Sequence, residues 1–121
     1  MIKGLGLDLC EISRMEKLLE NDRFLDRYYT EEEKTYIRTK GVNAAQTAAG
    51  IFAAKEALTK AVGTGIVFDL REIGVSHDEA GRPVYKLTGK AAELGNGDNF
   101  LLSVSHDGGM AAAVCVREAE R

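Results

Sequence analysis

The chain has little of what marks several common protein classes. Its two cysteines, Cys10 and Cys115, are too few and too isolated for a disulfide framework or a zinc site. No apolar run is long enough to span a bilayer, so we expect no membrane partner. The first residues alternate as a strand does and include one lysine instead of a secretory signal, so we expect a cytoplasmic protein.

An excess of charge of one sign is also absent. The 16 Lys and Arg residues against 19 Asp and Glu residues give a formal net charge of −3, which argues against general nucleic-acid binding. The sequence contains no internal repeat and no low-complexity segment. At 121 residues the chain suffices for one domain with a modest core. We expect a single domain over 1–121 whose charged end, 117–121, frays.

The segment 52–65, FAAKEALTKAVGTG, predicts a helix that ends in glycines. With about 100° of rotation per residue, one arc of roughly 80° contains Phe52, Glu56, Lys60 and Gly63. The opposite side carries an ordinary apolar core stripe, which consists of Ile51, Ala54, Leu58, Ala61 and Val62. A solvated helix face rarely needs a phenylalanine, so the first face is predicted to look toward a ligand.

Leucines alternate with small and polar residues along 2–9, a pattern that predicts a strand. One face of this strand is expected to meet the core and carries Leu5, Leu7 and Leu9. The other face carries Gly4, Gly6 and Asp8. Two glycines beside a carboxylate leave room for a ligand or another backbone to approach the sheet. For this segment by itself, a helix packed against the glycines is the favoured interpretation.

Helix-start signals place three more helical segments. Capping-box pairs predict the starts of two helices, at Ser13 with Glu16 and at Thr30 with Glu33. A helical turn is predicted around Phe24, between those two helices. The second helix is expected to end near Gly41, and Asn43 is a candidate cap for the long helix.

Turn-bounded apolar runs place the remaining strands. Strands are predicted at 73–76 and 84–87, joined by a polar turn at 78–83. A short helix at 88–94 and a loop at 95–99 follow. The last two strands, 100–105 and 110–116, are predicted to form a hairpin that turns at Asp107-Gly108-Gly109. This order predicts an α+β domain, in which the long helix packs on one face of an antiparallel sheet.

The ordered set of motifs carries a specific family resemblance. It consists of Gly4-Leu5-Gly6-Leu7-Asp8-Leu9-Cys10-Glu11, the 52–65 run, Arg14, Arg23-Phe24, Thr30-Glu31-Glu32-Glu33, Gly81-Arg82-Pro83 and Ser103-Val104-Ser105-His106. This set resembles the holo-acyl-carrier-protein synthases, the small bacterial members of the 4′-phosphopantetheinyl transferase superfamily, over essentially the whole chain. The resemblance implies the 4′-phosphopantetheinyl transferase fold and a homotrimer with sites at its subunit interfaces.

The resemblance also implies an activity that supports fatty acid biosynthesis. A 4′-phosphopantetheine group moves from coenzyme A to a serine of an apo-acyl carrier protein, and adenosine 3′,5′-bisphosphate is released. Attack on a charged pyrophosphate needs charge neutralisation and positioning. A Mg²⁺ ion (Mn²⁺ is possible) suits this task, and the resemblance assigns it to Asp8 and Glu56. The fold is therefore predicted to bring the end of the first strand beside the middle of the long helix.

The resemblance assigns further residues to coenzyme A, namely Phe52, Lys60, Gly63, Gly65, Arg82, Ser105 and His106. Lys60 counts as catalytic together with Asp8 and Glu56, and it is expected to contact the phosphates and to pair also with Glu56. Simpler interpretations stay open: an i, i+4 ion pair between Glu56 and Lys60, a helix stop at Gly63 and a plain turn at Arg82. Lys55 lies about 60° off this face and is as readily a solvated charge.

Acyl carrier proteins are acidic, so a basic patch on this chain is expected to dock them. The candidates are Arg14, Lys17, Arg23 and Arg27, which share helix faces in pairs. The other interpretation is a set of scattered surface charges, the usual place of Arg and Lys.

Three questions stay open at the sequence level. The carrier protein could belong to polyketide or peptide synthesis instead of fatty acid synthesis. The chain could also be a non-catalytic subunit that binds coenzyme A or the carrier. The base that removes the serine proton is either a water on the cation or Glu56.

Overall fold

A computed structural model describes residues 1–65 and 69–119, which form five strands and five α-helices. In chain order these elements are β1 (Ile2–Glu11), α1 (Ile12–Leu18), α2 (Asp22–Tyr28), α3 (Glu31–Arg38), α4 (Ala44–Val62), β2 (Ile73–His77), β3 (Pro83–Leu87), α5 (Gly89–Gly95), β4 (Asn99–Asp107) and β5 (Met110–Glu118). Short 3₁₀ turns precede α4 at Gly41–Asn43 and β2 at Leu70–Glu72. The α+β class and the order of the elements agree with the sequence prediction.

The strands form two antiparallel sheets. One has the order β1-β5-β4, and the other consists of β2 and β3. β4 and β5 form the predicted hairpin, and its turn contains Gly108 and Gly109 with φ of +57° and +81°. Two successive positive φ angles are typical of the tight loops that match strand twist, and glycine adopts them without strain. The sequence predicted one sheet, whereas the structure has two, and α4 packs against both.

The leucine face of β1 does not meet the core, contrary to the prediction. Leu5, Leu7 and Leu9 point away from the core and are 64%, 60% and 60% exposed. A Cβ built on Gly6 would lie 1.8 Å from the Ala57 carbonyl oxygen, and one on Gly4 would lie 1.9 Å from that of Ala61. α4 therefore approaches the strand so closely that only glycine fits at the contact, as the favoured interpretation of this segment had it.

α4 is buried along the predicted apolar stripe. Ile51, Ala54, Leu58 and Ala61 are each at most 3% exposed, whereas Val62 is only partly buried. The helix ends at Gly63, whose φ of +87° is left-handed and whose N–H donates to the Thr59 carbonyl. The predicted glycine stop is confirmed.

The helix starts follow the prediction only in part. Thr30 and Glu33 form both hydrogen bonds of a capping box, of 3.1 and 2.8 Å. The capping box at Ser13 is wrong, because β1 passes directly into α1 and Glu11 occupies the position before the helix. Asn43 precedes α4 as expected, but its side chain does not cap it.

The end of the chain is better ordered than predicted. Arg117 and Glu118 belong to β5, and the Arg117 Nε donates to Asp98 Oδ2 at 2.8 Å. Lys3 of β1 contacts the same carboxylate oxygen at 2.8 Å. Residues 120 and 121 of the predicted frayed tail lie outside the described ranges.

Across 1–65 and 69–119, every helix is too short or too polar to cross a bilayer.

Candidate active site

The close contact of β1 and α4 places three predicted site residues together. Asp8 comes after Gly4 and Gly6 on the face of β1 that meets α4, and its side chain is 19% exposed. The Lys60 ammonium donates to Asp8 Oδ1 at 3.0 Å and to the Leu7 carbonyl at 2.9 Å. Lys60 is thus paired with Asp8 across the strand–helix contact, and the pairing expected with Glu56 along the helix is replaced by this one.

Glu56 lies one helical turn before Lys60, and the charges of Asp8 and Lys60 both affect the pKa of its carboxyl group. Burial raises the pKa of the Glu56 carboxyl most, the Asp8 carboxylate raises it further, and Lys60 opposes both effects. The contact of Lys60 with Asp8 and the close approach of Gly6 to Ala57, the residue after Glu56, place these elements together. The structure therefore brings the end of β1 beside the middle of α4.

The Asp8 and Glu56 carboxylates match the donor set of a hard divalent cation. Both supply oxygen ligands, and a cation between them would relieve the repulsion that raises the Glu56 pKa. No cluster of three or more His, Cys, Asp or Glu side chains with metal-binding geometry occurs among the described residues. A cation here would need further oxygens from a ligand or water, which is the usual mode for Mg²⁺.

Phe52 marks the other end of the same helix face. Its ring contacts Phe24 and Tyr28 of α2 with centroid distances of 6.0 Å each. Beyond it opens a cavity of about 480 Å³, the Glu56 cavity, which is lined by Arg27, Tyr28, Phe52, Glu56, Asp69, Leu70 and Arg71. The aromatic cluster holds α2 against α4, and α2 forms one wall of the cavity.

Gly63 and Gly65, the two glycines after α4, have different surroundings. The Gly63 N–H is used in ending the helix. Gly65 is exposed with φ of +72°, and a Cβ built on it would meet nothing within 4 Å. Helix termination therefore explains Gly63, whereas the exposed backbone at Gly65 is not used by the helix.

The remaining predicted nucleotide contacts lie elsewhere on the chain. His106 is 3.0 Å from the Gln46 side-chain nitrogen at the edge of a second cavity, of about 180 Å³. Gln46 precedes Glu56 by ten residues of α4, which is about 15 Å along the axis. Ser105, as the neighbour of His106 on β4, faces the opposite side of the sheet. One chain alone does not bring His106 to Glu56.

Arg82 belongs to neither cavity. It lies in the turn between β2 and β3, where its Nε is 3.2 Å from Asp78 Oδ2 and its side chain is 75% exposed. Asp78 also accepts from the backbone N–H groups of Ala80 and Arg82, so the turn is held by its own side chain. The plain-turn interpretation accounts for this segment within one chain.

The four candidate docking residues are exposed on α1 and α2. They are Arg14, Lys17, Arg23 and Arg27. Within the part of the chain that the structure describes, none of them is in an ion pair. Arg27 lies over the Tyr28 ring, with its Cζ 5.5 Å from the centroid, and also lines the cavity. Their charges are therefore available to an anionic partner.

Lys55 is the residue that the sequence interpretation placed wrongly. It is completely buried, and its ammonium contacts Glu33 Oε1 at 2.8 Å and the carbonyls of Leu70 and Ile73 at 3.0 and 2.8 Å. A signal was present, because Lys55 follows Ile51 by four residues and precedes Leu58 by three, so it lies on the apolar stripe.

Comparison with known proteins gives a consistent family. The family model described as the 4′-phosphopantetheinyl transferase superfamily matches residues 4–115. A holo-[acyl-carrier-protein] synthase of Treponema denticola is 42% identical over 122 residues, which cover 98% of this chain and 99% of that protein. One from Alkaliphilus metalliredigens is 44% identical over 111 residues, which cover 88% and 90% of the two chains.

Solved structures match the fold over nearly the full length. The holo-[acyl-carrier-protein] synthase of Neisseria meningitidis superposes with a TM-score of 0.86 at 34% identity, covering 98% of this chain and 99% of that one. The Bacillus anthracis protein, solved in complex with CoA (3′,5′-ADP), has a TM-score of 0.84 at 37% identity and covers 99% of both chains.

Proposed function

Because the chain belongs to the 4′-phosphopantetheinyl transferase superfamily, we propose that it is a holo-acyl-carrier-protein synthase. The enzyme transfers 4′-phosphopantetheine from coenzyme A to a serine of an apo-acyl carrier protein and releases adenosine 3′,5′-bisphosphate. The observation that carries this proposal is the grouping of Asp8, Glu56 and Lys60 at the β1–α4 contact. We further propose that the product serves fatty acid biosynthesis.

We propose Asp8 and Glu56 as the protein ligands of a Mg²⁺ ion. When bound, the ion supplies positive charge beside the pyrophosphate of coenzyme A, which is the main need of this reaction. Lys60 adds a second cation at the same point, and its short contact with Asp8 fixes the ammonium. In this proposal Asp8 and Glu56 hold the ion, and Lys60 adds positive charge, so none of the three forms a covalent bond to the substrate.

Glu56 is the group in this site that can accept the serine proton, directly or through a water. A carboxylate can act as a general base when it lies within hydrogen-bond reach of the proton that it accepts, or reaches it through one water. The neighbouring Glu56 cavity is where an acceptor segment can bring its hydroxyl near the carboxylate.

The nucleotide end of coenzyme A is proposed to extend from Lys60 past Gly63 and Gly65 to residues of a second chain. His106 and Arg82 lie away from Glu56 within one chain, and we propose that a neighbouring subunit supplies them to the same ligand. The exposed leucines on the outer face of β1 offer the surface for such an assembly. A homotrimer closes three equivalent sites in this way.

An acidic carrier protein is proposed to dock on α1 and α2. The exposed cations there, Arg14, Lys17, Arg23 and Arg27, supply electrostatic complementarity. Because Arg27 also lines the Glu56 cavity, this surface continues into the site.

Intact-mass analysis of a purified apo-acyl carrier protein, incubated with this chain, coenzyme A and Mg²⁺, tests the proposal. We expect a mass gain of one phosphopantetheine group that a chelator prevents. Asp8→Asn should slow transfer by about two orders of magnitude or more, because charge stabilisation at the pyrophosphate is lost. Asp107→Asn, an exposed aspartate in the hairpin turn, is the matched control and should transfer normally.

Two outcomes would contradict this assignment. Full activity of the Asp8→Asn variant would remove the metal role of that residue. No mass gain on fatty acid, polyketide or peptide carrier proteins, from a folded sample that binds coenzyme A, would point to a non-catalytic binding subunit instead.

A further inference from the structure

His106 is in contact with a side chain of the long helix. The Gln46 side-chain nitrogen lies 3.0 Å from His106 Nε2, although the two residues are 60 positions apart in the sequence. Both residues line the cavity of about 180 Å³ described above, which we call the His106 cavity. The contact therefore joins α4 to β4 at this cavity.

The contact belongs to the packing of α4 on β4. Gln46 and Gly50 lie one helical turn apart on α4, which is about 6 Å along the axis, and Val104 and His106 lie on one face of β4, about 7 Å apart. Gly50 lies opposite Val104, because a Cβ built on that glycine would be 3.1 Å from Val104 Cγ1. The two spacings match, so Gln46, which is half-buried, is held opposite His106 by the same interface.

This contact fixes the position of the proton on the imidazole ring. An amide nitrogen donates hydrogen bonds and does not accept them, so His106 Nε2 is the acceptor. A neutral imidazole that accepts through Nε2 carries its proton on Nδ1. Within residues 1–65 and 69–119 no side chain or backbone group is hydrogen-bonded to Nδ1, so this N–H is available to a ligand.

The position of the proton decides which ligand atoms His106 can bind. With its proton on Nδ1, the ring donates from that nitrogen to an anionic oxygen such as that of a phosphate, and hydrogen bonds to charged acceptors are the stronger ones. In the other tautomer Nδ1 presents a lone pair, which repels the same oxygen. The Gln46 amide therefore selects the tautomer that suits an anionic ligand.

We propose that Gln46 is a positioning residue for coenzyme A, which acts by holding His106 in the tautomer whose Nδ1–H donates to a phosphate. The inference rests on the proposed transferase function, in which His106 contacts coenzyme A. It gives Gln46 an effect on coenzyme A binding and none on the docking of the carrier protein.

Nitrogen-15 NMR of the histidine rings reads the tautomer directly. The chain has two histidines, His77 and His106, so His106→Asn assigns the signals by removing one set. At about pH 8.5, where an ordinary imidazole with a pKa of about 6.5 is neutral, we expect the His106 proton on Nδ1 in the unsubstituted chain. Gln46→Met, which keeps the length of the side chain without the amide, should give a mixture of both tautomers.

Steady-state kinetics with varied coenzyme A tests whether the tautomer matters for the ligand. Gln46→Met should raise the KM for coenzyme A about three- to tenfold, the size expected when one hydrogen bond is weakened. The kcat and the KM for the carrier should stay unchanged, because the lost interaction contributes to binding of the nucleotide end and not to the transition state alone. The matched control is Asn43→Ala, which removes an exposed amide near the same end of α4 and outside the His106 cavity.

Two results would overturn the role of Gln46 and leave the transferase proposal standing. One is a proton on Nε2 of His106 in the unsubstituted chain, and the other is an equal KM for coenzyme A in Gln46→Met and Asn43→Ala. Absence of transfer by the unsubstituted chain would overturn the transferase proposal, and the role of Gln46 in binding coenzyme A with it.

Discussion

At the scale of single residues, the pair of Lys55 and Glu33 shows how a charge is accommodated in this core. The ammonium has three acceptors and the carboxylate has three donors, so every polar atom of the pair is satisfied. Burial lowers the Lys55 pKa, and the Glu33 carboxylate opposes that effect. A satisfied buried pair contributes more to where elements lie than to net stability.

Removing only one member of this pair should therefore lower the free energy of unfolding more than removing both members. We expect Lys55→Met to lower the free energy of unfolding by about 3–5 kcal/mol, because Glu33 is left buried without its cation. The double variant Lys55→Met/Glu33→Met should recover part of that loss, because it removes the unpaired carboxylate but leaves the Thr30 and Val75 N–H groups without their acceptor. Urea unfolding of the three proteins measures both values.

A double variant as unstable as the single one would show that the loss comes from packing and not from the unpaired carboxylate.

The sequence predicted that the end of β1 lies beside the middle of α4, and the structure brings Asp8 and Lys60 into contact there. The buried residues that support α4 were not predicted. Lys55 was missed because lysine is almost never fully buried, and only the long-range contact with Glu33 reverses that preference.

At the scale of elements, the contact between β1 and α4 is the one that the site depends on. Gly4 and Gly6 leave no side chain between the strand and the helix, and the backbone carbonyls of Ala61 and Ala57 occupy that space. Asp8 continues the same face of β1 and so lies beside Lys60.

Gly6→Ala should separate the two elements. A Cβ there would lie 1.8 Å from the Ala57 carbonyl oxygen, so strand and helix must move apart. We expect a loss of at least about 3 kcal/mol in the free energy of unfolding, at the upper end of the usual overpacking range, and reduced transfer. Thermal and urea unfolding give the first value, and the carrier mass assay gives the second.

Gly50→Ala is the matched control within α4. Its Cβ would meet only the Val104 Cγ1, at 3.1 Å, and alanine is favoured over glycine in a helix interior by about 1 kcal/mol. If Gly6→Ala were no less stable than Gly50→Ala, the strand–helix distance would not depend on the missing side chain.

Element boundaries followed from local signals, but the direction that β1 faces did not. The alternation of leucines and glycines gives two faces, and the apolar one was expected to meet the core. The structure reverses them because helix backbone, rather than side chains, covers the glycine face. The Ser13 box failed for a related reason, since β1 continues to Glu11 and α1 follows at once.

At the scale of the whole molecule, no element within residues 1–65 and 69–119 covers the leucines on the outer face of the β1-β5-β4 sheet. Leu5, Leu7 and Leu9 of β1 are joined there by Leu101 of β4, which is 54% exposed. A row of leucines this exposed is unusual for a monomer and marks an interaction surface. The proposed homotrimer assigns this surface to neighbouring copies of the chain.

Leu7→Glu should break the assembly, since it places a charge in the middle of that face. We expect the unsubstituted chain to have the mass of a trimer by light scattering and the variant that of a monomer. Transfer should fall at least about tenfold, because the proposed nucleotide contacts at His106 are then missing. Val42→Glu, at a fully exposed valine in the turn before α4, is the control and should remain trimeric.

A monomeric but fully active Leu7→Glu variant would contradict shared sites. The sequence predicted the assembly through family resemblance only, because periodicity within one chain does not tell which apolar face is covered by a second copy. It predicted one sheet instead of two for a similar reason: strand pairing depends on contacts that local patterns do not record.

The glycine contact has one more consequence. Side chains change rotamer and repack when temperature, pressure or a neighbouring substitution changes, but peptide groups in contact with each other have no rotamers to change. The distance between β1 and α4 is therefore set by van der Waals contact between two backbones. Asp8 and Glu56 lie on these two elements, so we expect core side chains elsewhere to be exchangeable without moving the backbones that carry the two carboxylates.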